Sequence, residues 1–307
     1  MGRQRLDLPV DQIAWDYIFG CTLRELADRY DCSYIPIMDR LRESGIECRP
    51  SGARRQKGET QWKISRRCNS DFFESIDSEL VAYWLGFIFA DGYINQKDSY
   101  LALHLNERDR EVLQQFRKDI DSNHPIRPVP QNQAVRLIIY DKKIVNDLVR
   151  LGAVQAKSLI IQYPSIPTEF DRHFIRGYLD GDGSWTGARF TFCAQICCGS
   201  HVFLVALADK LKSWGVPSHI YLTKGDRAWV LSVFKRKDNI YLFRYLYAGS
   251  TRFLERKLKH VTTHMGTDWV KRCIDADFTE IQQLGFIVGE GPLDNCSDIC
   301  YNMVNIT

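Results

Sequence analysis

The chain has 307 residues, 45% apolar and 26% charged, with a net charge of +3. That is a soluble globular composition of about two domains' length, and it excludes collagen-like, low-complexity and wholly disordered chains. The longest apolar run, Leu80–Ala90, falls short of the ~20 residues of a membrane span, and MGRQRLDLPVDQ has no apolar stretch of the secretory kind.

An intracellular protein with no membrane partner is therefore expected. Its 10 cysteines read as free thiols, because Cys193–Cys197–Cys198 and Cys296–Cys300 lack zinc-type spacing. Charge is distributed unevenly. Residues 1–48 hold 6 basic and 9 acidic side chains, residues 49–67 hold 7 and 1, and residues 273–307 hold 6 acidic and no Lys or Arg. A basic body with an acidic tail suits a polyanion binder, although clustering on a solvated surface gives the same pattern.

Residues 1–48 read as a small all-α domain. Pro9–Phe19 is the first helix. Thr22 followed by Glu25 is a capping box that opens the second helix, and Ser33 caps a third running through Glu43. Ile37, Met38 and Leu41 form the buried face of the third helix, and Gly45 ends it. The stretch TLRELADRYDCSYIPIMDRLRESGI resembles the helix-turn-helix domains of DNA-binding proteins. That resemblance implies that Tyr34, Arg40 and Arg42 face a major groove. Residues 49–70 are a basic linker whose Arg54 and Arg55 suit phosphates or a minor groove.

Residues 71–268 carry an internal duplication, 71–160 and 161–268. The first copy has helices at Ser78–Asp91, Glu107–Ile120 and Lys142–Leu151, with strands at 100–105, Ile126–Val129 and Val135–Tyr140. The second has helices at Glu169–Asp182, His201–Trp214 and Asn239–Tyr247, with strands at 188–198, Ser218–Leu222 and Trp229–Phe234. If the segment after each first helix pairs as a hairpin, each copy reads αββαββα. Tandem copies of one unit usually pack about a pseudo-twofold axis, so a monomer with internal pseudo-dimer symmetry is expected.

The duplication is sharpest in two motifs. In WLGFIFADG and IRGYLDGDG, Gly86 matches Gly177, Ala90 matches Gly181, Asp91 matches Asp182 and Gly92 matches Gly183, every pair 91 residues apart. Small residues one turn apart, Gly86/Ala90 and Gly177/Gly181, allow two helix backbones to touch. Asp91 and Asp182 then meet at the helix ends, and Gly92 and Gly183 read as left-handed exits. Two carboxylates at the negative ends of two helix dipoles call for a cation between them, and a hard divalent ion such as Mg²⁺ fits best.

These motifs are similar to the paired signatures of the LAGLIDADG homing endonucleases in their two-motif, single-chain form. The segment LGAVQAKSLIIQYPSIPTEFDRHFIRGYLDGDGSW strengthens the likeness, and Phe89 departs from it where an acid is common. The resemblance implies an α+β fold of tandem pseudo-twofold units with saddle-shaped antiparallel sheets over double-stranded DNA. It implies that Asp91 and Asp182 bind the catalytic Mg²⁺ ions with help from the Ala90 and Gly181 carbonyls, for two-metal hydrolysis of phosphodiesters. It also implies a lysine beside each acid. Lys142 or Lys143, and Lys235 or Lys237, are the candidates.

Base-reading residues are expected on alternate strand positions. Arg136, Arg189, Gln195 and Arg227 lead, with His104, Asn106, Gln131, Gln133, Thr191 and Lys224 behind them. Arg252, Arg256, Lys257 and Lys259 are expected on phosphates. Two other activities fit such a scaffold: an intron RNA maturase and a non-cleaving, sequence-specific DNA-binding regulator. Residues 269–307 form an acidic tail to which the sequence assigns no role.

Overall fold

The computed structural model describes residues 8–18, 21–48, 66–129, 133–153, 160–186, 192–223, 228–279 and 281. The chain divides into two compact units, 1–67 and 68–307.

The first unit holds helices α1 (Val10–Ile18), α2 (Leu23–Arg29) and α3 (Tyr34–Glu43). The capping box forms as the sequence dictates. Thr22 Oγ1 accepts from the Glu25 backbone N–H at 3.1 Å, and Glu25 Oε2 accepts from the Thr22 N–H at 2.9 Å. Ser33 precedes α3 but makes no side-chain capping bond. Ile13, Tyr17, Leu26, Ile37 and Leu41 close a small core, and Arg29 ion-pairs with the buried Asp16. Gly45 ends α3 with a left-handed φ of 72°. Arg40 does not face outward: it is buried and its Nη1 donates to Glu43 at 2.9 Å. Position 40 lies three residues after Ile37 and so falls on the packed stripe, whereas Tyr34 and Arg42 are exposed.

The second unit contains the duplication. The first repeat runs α4 (Glu79–Asp91), β1 (Gly92–Asn95), β2 (Tyr100–Asn106), α5 (Arg110–Asp119), β3 (Ile126–Val129), β4 (Ala134–Tyr140) and α6 (Lys142–Arg150). The second runs α7 (Asp171–Asp182), β5 (Gly183–Thr186), β6 (Cys193–Cys198), α8 (His201–Ser213), β7 (His219–Leu222), β8 (Trp229–Val233) and α9 (Arg236–Tyr247). The expected αββαββα order appears twice, including the hairpin after each leading helix. Both sheets are antiparallel, ordered β1-β2-β4-β3 and β5-β6-β8-β7. Alternate residues such as Ile94, Leu101, Leu103, Val135, Leu137 and Ile139 are buried on one face, while the other face is open.

α4 and α7 pack against each other at the centre of the unit. After α9 come α10 (Glu255–Met265) and α11 (Thr267–Asp275), neither of which was expected. α11 crosses the boundary placed at residue 269. Its Val270 and Cys273 are buried and its Trp269 packs on Phe243 of α9, so the acidic segment begins as a folded helix. Among the described residues, no helix is long and apolar enough to cross a membrane.

Candidate functional site

The site starts from two glycines, each set against the backbone of the opposite helix. A Cβ on Gly86 would lie 2.0 Å from the Phe174 carbonyl oxygen, and a Cβ on Gly177 would lie 2.0 Å from the Tyr83 carbonyl oxygen. Phe174 and Tyr83 are themselves 91 residues apart, so the contact is reciprocal and the pseudo-twofold passes between α4 and α7. One turn further on, a Cβ on Gly181 would meet the Ala90 Cβ at 2.2 Å and Asp91 Oδ2 at 3.3 Å. Small residues at these positions draw the backbones together, and the carboxylate of Asp91 reaches the end of the opposite helix.

The glycines that follow work differently from the expectation. Gly92 and Gly183 are extended, with φ of −75° and −89°, not left-handed. Their side chains are missing for want of room. A Cβ on Gly92 would sit 2.6 Å from the Ile88 carbonyl oxygen, and one on Gly183 would sit 2.7 Å from that of Leu179. Each glycine lets its strand leave directly across the last helical turn.

At these helix ends Asp91 is half-buried and Asp182 is exposed. One buried side chain, Lys257 of α10, registers both. Its Nζ donates to the carbonyl oxygens of Leu179 at 2.7 Å, Gly181 at 2.9 Å and Gly183 at 2.5 Å. Burial pulls this ammonium down to about 8, against the opposing pull of Asp180, Asp91 and Asp182. The carbonyls of a helix C-terminus lack intrahelical donors and carry the negative end of the dipole, which is why a cation settles there. The Gly181 carbonyl, which the resemblance gave to a metal, is therefore engaged by Lys257.

Asp180, two residues before Asp182, anchors the segment that delivers Lys257. It is fully buried and accepts from Tyr83 Oη at 3.0 Å, Tyr247 Oη at 2.9 Å and the Leu254 N–H at 2.8 Å. Burial raises its pKa while Lys257 and these donors oppose the rise.

Among the described residues, no three His, Cys, Asp or Glu side chains gather into a protein-only metal cage. The carboxylates at the paired helix ends are those of Asp91 and Asp182. That matches Mg²⁺, which usually takes one or two carboxylates and completes its shell with water and substrate phosphate.

The sheet registers separate the expected lysines from the acids. Lys142 follows Tyr140, which pairs with Tyr100, itself the partner of Asn95 at the far end of β1. Lys235 lies beyond Val233, which pairs with Ala194 and through it with Trp185, again past the acid end. Lys143 is held by Asp71, Glu74 and Asp147 at 3.0–3.2 Å. Lys257 had been expected on a phosphate. Its true place was readable: Leu254, Lys257, Leu258 and Val261 follow the i, i+3, i+4, i+7 spacing of a buried stripe.

Two further arginines expected on phosphates serve the fold. Arg252 donates to both oxygens of Asp119 at 2.7 Å, and Arg256 pairs with Asp109 at 3.0 Å. Of the base-reading candidates, Arg136, His104 and Gln195 lie on the open sheet faces. Arg189, Arg227, Gln131, Thr191 and Lys224 lie outside the described residues, as do Arg54 and Arg55.

No family model and no curated protein sequence matches the chain. Solved structures do. One is I-DmoI in complex with DNA and calcium, at 14% identity and a TM-score of 0.45, covering 64% of this chain and all of that one. Another is the meganuclease I-SmaMI bound to uncleavable DNA, at 13% identity and 0.44, covering 70% and 100%. A third is the N-terminal LAGLIDADG domain of DUF199/WhiA, at 17% identity and 0.39, covering 61% and 92%. The solved structures that this chain resembles are LAGLIDADG homing endonucleases and a LAGLIDADG domain.

Proposed function

We propose that the protein is a site-specific double-strand DNA endonuclease of the homing type. What supports this reading is that Asp91 and Asp182 end the two helices that touch, that Asp91 Oδ2 reaches the Gly181 position and that both acids act on the Lys257 ammonium, in a unit with two open antiparallel sheets. The two carboxylates would hold Mg²⁺ together with the Ala90 carbonyl and the scissile phosphates. Bound there, the ions would supply water of lowered pKa and stabilise charge on the leaving oxygen.

The chain's own groups do the rest. The glycine contacts fix the separation of the acids. Lys257 supplies a positive charge beside both acids and takes the role that the resemblance gives to a lysine at the strand ends. Each sheet lays its open face on one half-site. The three-helix unit adds a second DNA contact through Tyr34 and Arg42, and Arg54 and Arg55 run along phosphates.

Selecting bound duplexes from a random library, then cutting a plasmid that carries the selected site, tests the proposal. Mg²⁺-dependent linearisation is expected. Asp91→Asn and Asp182→Asn should each lower cleavage by at least ~10²-fold while binding is retained. Cleavage that survives either change refutes the mechanism. Tight binding without nicking at any Mg²⁺ concentration would instead mark a regulator. Rescue of intron splicing without any duplex selection would mark a maturase.

A further inference from the structure

The open faces of the two sheets carry opposite chemistry, row for row. Rows follow from the strand registers, counted from the helix exits. In the first repeat the row nearest Asp91 is His104–Arg136–Arg127, and the next one outward is Tyr93–Ala102–Ile138. In the second repeat the row nearest Asp182 is Cys197–Val230–Tyr221, and the next is Ser184–Gln195–Ser232–His219. The first sheet is thus cationic near the acids and apolar beyond, whereas the second is neutral near the acids and polar beyond.

The cationic row is also unsatisfied. Among the described residues, Arg127 and Arg136 have no carboxylate partner and the buried Arg136 Nε has no hydrogen-bond partner. Burial, with Arg136 adding to it, pushes the His104 imidazole down, so a charge on His104 would be repelled within the row. In the second repeat, by contrast, Tyr221 Oη of the inner row sits 3.4 Å from Gln195 Nε2 and 3.3 Å from Ser232 Oγ of the next row outward, a set of groups that satisfy one another.

We infer that Arg127 and Arg136 select guanine beside the cleavage centre, in the half-site that the first sheet covers and not in the other. The inference rests on the duplex-reading function proposed above and deepens it. Arginine matches the O6 and N7 acceptors of guanine in the major groove, apolar groups match the thymine methyl, and glutamine matches adenine. Outward side chains repeat every ~6.8 Å along a strand, which equals about two base-pair steps of ~3.4 Å. Guanine set by Arg136 is therefore followed, two positions outward, by thymine against Tyr93 and Ile138. In the other half the order reverses, with thymine against Val230 and then adenine at Gln195.

The test is selection of duplexes from a random library by the full chain, repeated with Arg136→Ala and Gln195→Ala. The wild-type protein should yield a non-palindromic consensus with guanine beside the centre in one half. Arg136→Ala should lose about tenfold or more in affinity for that guanine over other bases at the same position. It should leave the other half and the salt dependence unchanged. Replacing guanine with 7-deazaguanine, which lacks N7, should match the Arg136→Ala loss and add nothing to it. A consensus with equal halves overturns the inference while the endonuclease reading stands. So does an Arg136→Ala variant that weakens all sequences alike with a shallower salt slope, the mark of a phosphate contact. Failure to select any duplex overturns both.

Discussion

Helices α4 and α7 are copies of one element, yet they bury opposite kinds of side chain. At equivalent positions α4 buries Val81, Ala82, Leu85 and Phe89, and α7 buries Arg172, His173, Arg176 and Asp180. The aliphatic set closes an ordinary core. The polar set holds the C-terminal end of the unit. Arg172 donates to the Ala248 carbonyl at 2.8 Å, and Arg176 donates to those of Leu246 at 2.7 Å and Arg252 at 3.0 Å. Arg176 also pairs with Glu79 of α4 at 2.7 Å, and Asp180 takes the Leu254 N–H. These carbonyls close α9 and begin the turn to α10, where helix-end acceptors need donors. A duplicated skeleton can therefore keep its symmetry in the backbone contact and spend its side chains on asymmetry. Here the asymmetry brings Lys257 to one acid's helix end.

The part held in common should be the least tolerant of change. Gly177→Ala places a methyl 2.0 Å from backbone. Backbone cannot swing away as a flexible side chain can, so a loss of at least ~3 kcal/mol is expected. Gly86→Ala should match it within error, because the contact is reciprocal; thermal unfolding of the two variants checks this. A harmless Gly86→Ala would deny the pseudo-twofold contact. Next in size is Arg176→Met, which keeps the volume but leaves the Leu246 and Arg252 carbonyls and the half-buried Glu79 without their guanidinium. Removing one member of a buried charged pair costs about 3–5 kcal/mol. Leu85→Met at the equivalent site should cost under ~1.5 kcal/mol.

The polar set should also make α7 acid-sensitive where α4 is not. His173 Nδ1 accepts from Arg176 Nη1 at 3.0 Å, and burial with two neighbouring guanidiniums pulls the imidazole down to about 2. The unfolded chain takes up this proton near 6.5, whereas the folded chain refuses it until far lower pH. Stability is thus complete above ~6.5 and falls with acid, by ~1.4 kcal/mol for each pH unit below it. Between pH 6.5 and 5 this amounts to about 2 kcal/mol, measurable by urea unfolding. His173→Gln, which cannot titrate, should flatten the slope in that range.

Much of this was legible in the chain, because apolar periodicity and the 91-residue offset are local signals. They set the αββαββα order, the strand alternation and the glycines of the α4–α7 contact. The site was half legible. Asp91 and Asp182 announce themselves through repetition, but Lys257 occurs once and binds backbone, which leaves no pattern of partner residues. Lys142 and Lys235 lie toward the other end of their sheets for a related reason: proximity in sequence to a strand end does not say which end of the sheet that is. The extended conformation of Gly92 and Gly183 was missed because lack of room and a left-handed φ select the same residue. Arg40 was misplaced because its charge was weighed above its position on the buried stripe of α3.

The smallest expected difference lies at the two helix starts. Ser78 caps α4 in the extended conformation, and its hydroxyl accepts from the Val81 N–H at 3.4 Å. α7 has no such cap. A 3₁₀ turn at Thr168–Phe170 runs straight into it, and Phe170 at its start has helical dihedrals. The first N–H groups of α7 are thus approached through a continuous spiral, not through a capping side chain. Ser78→Ala should cost about 1 kcal/mol, at the weak end because the bond is long. Thr168→Ala should cost less than half of that, since no cap is lost. Equal losses would mean that α4 gains nothing from its serine, and that the two helix starts, unlike the two helix faces, are energetically alike.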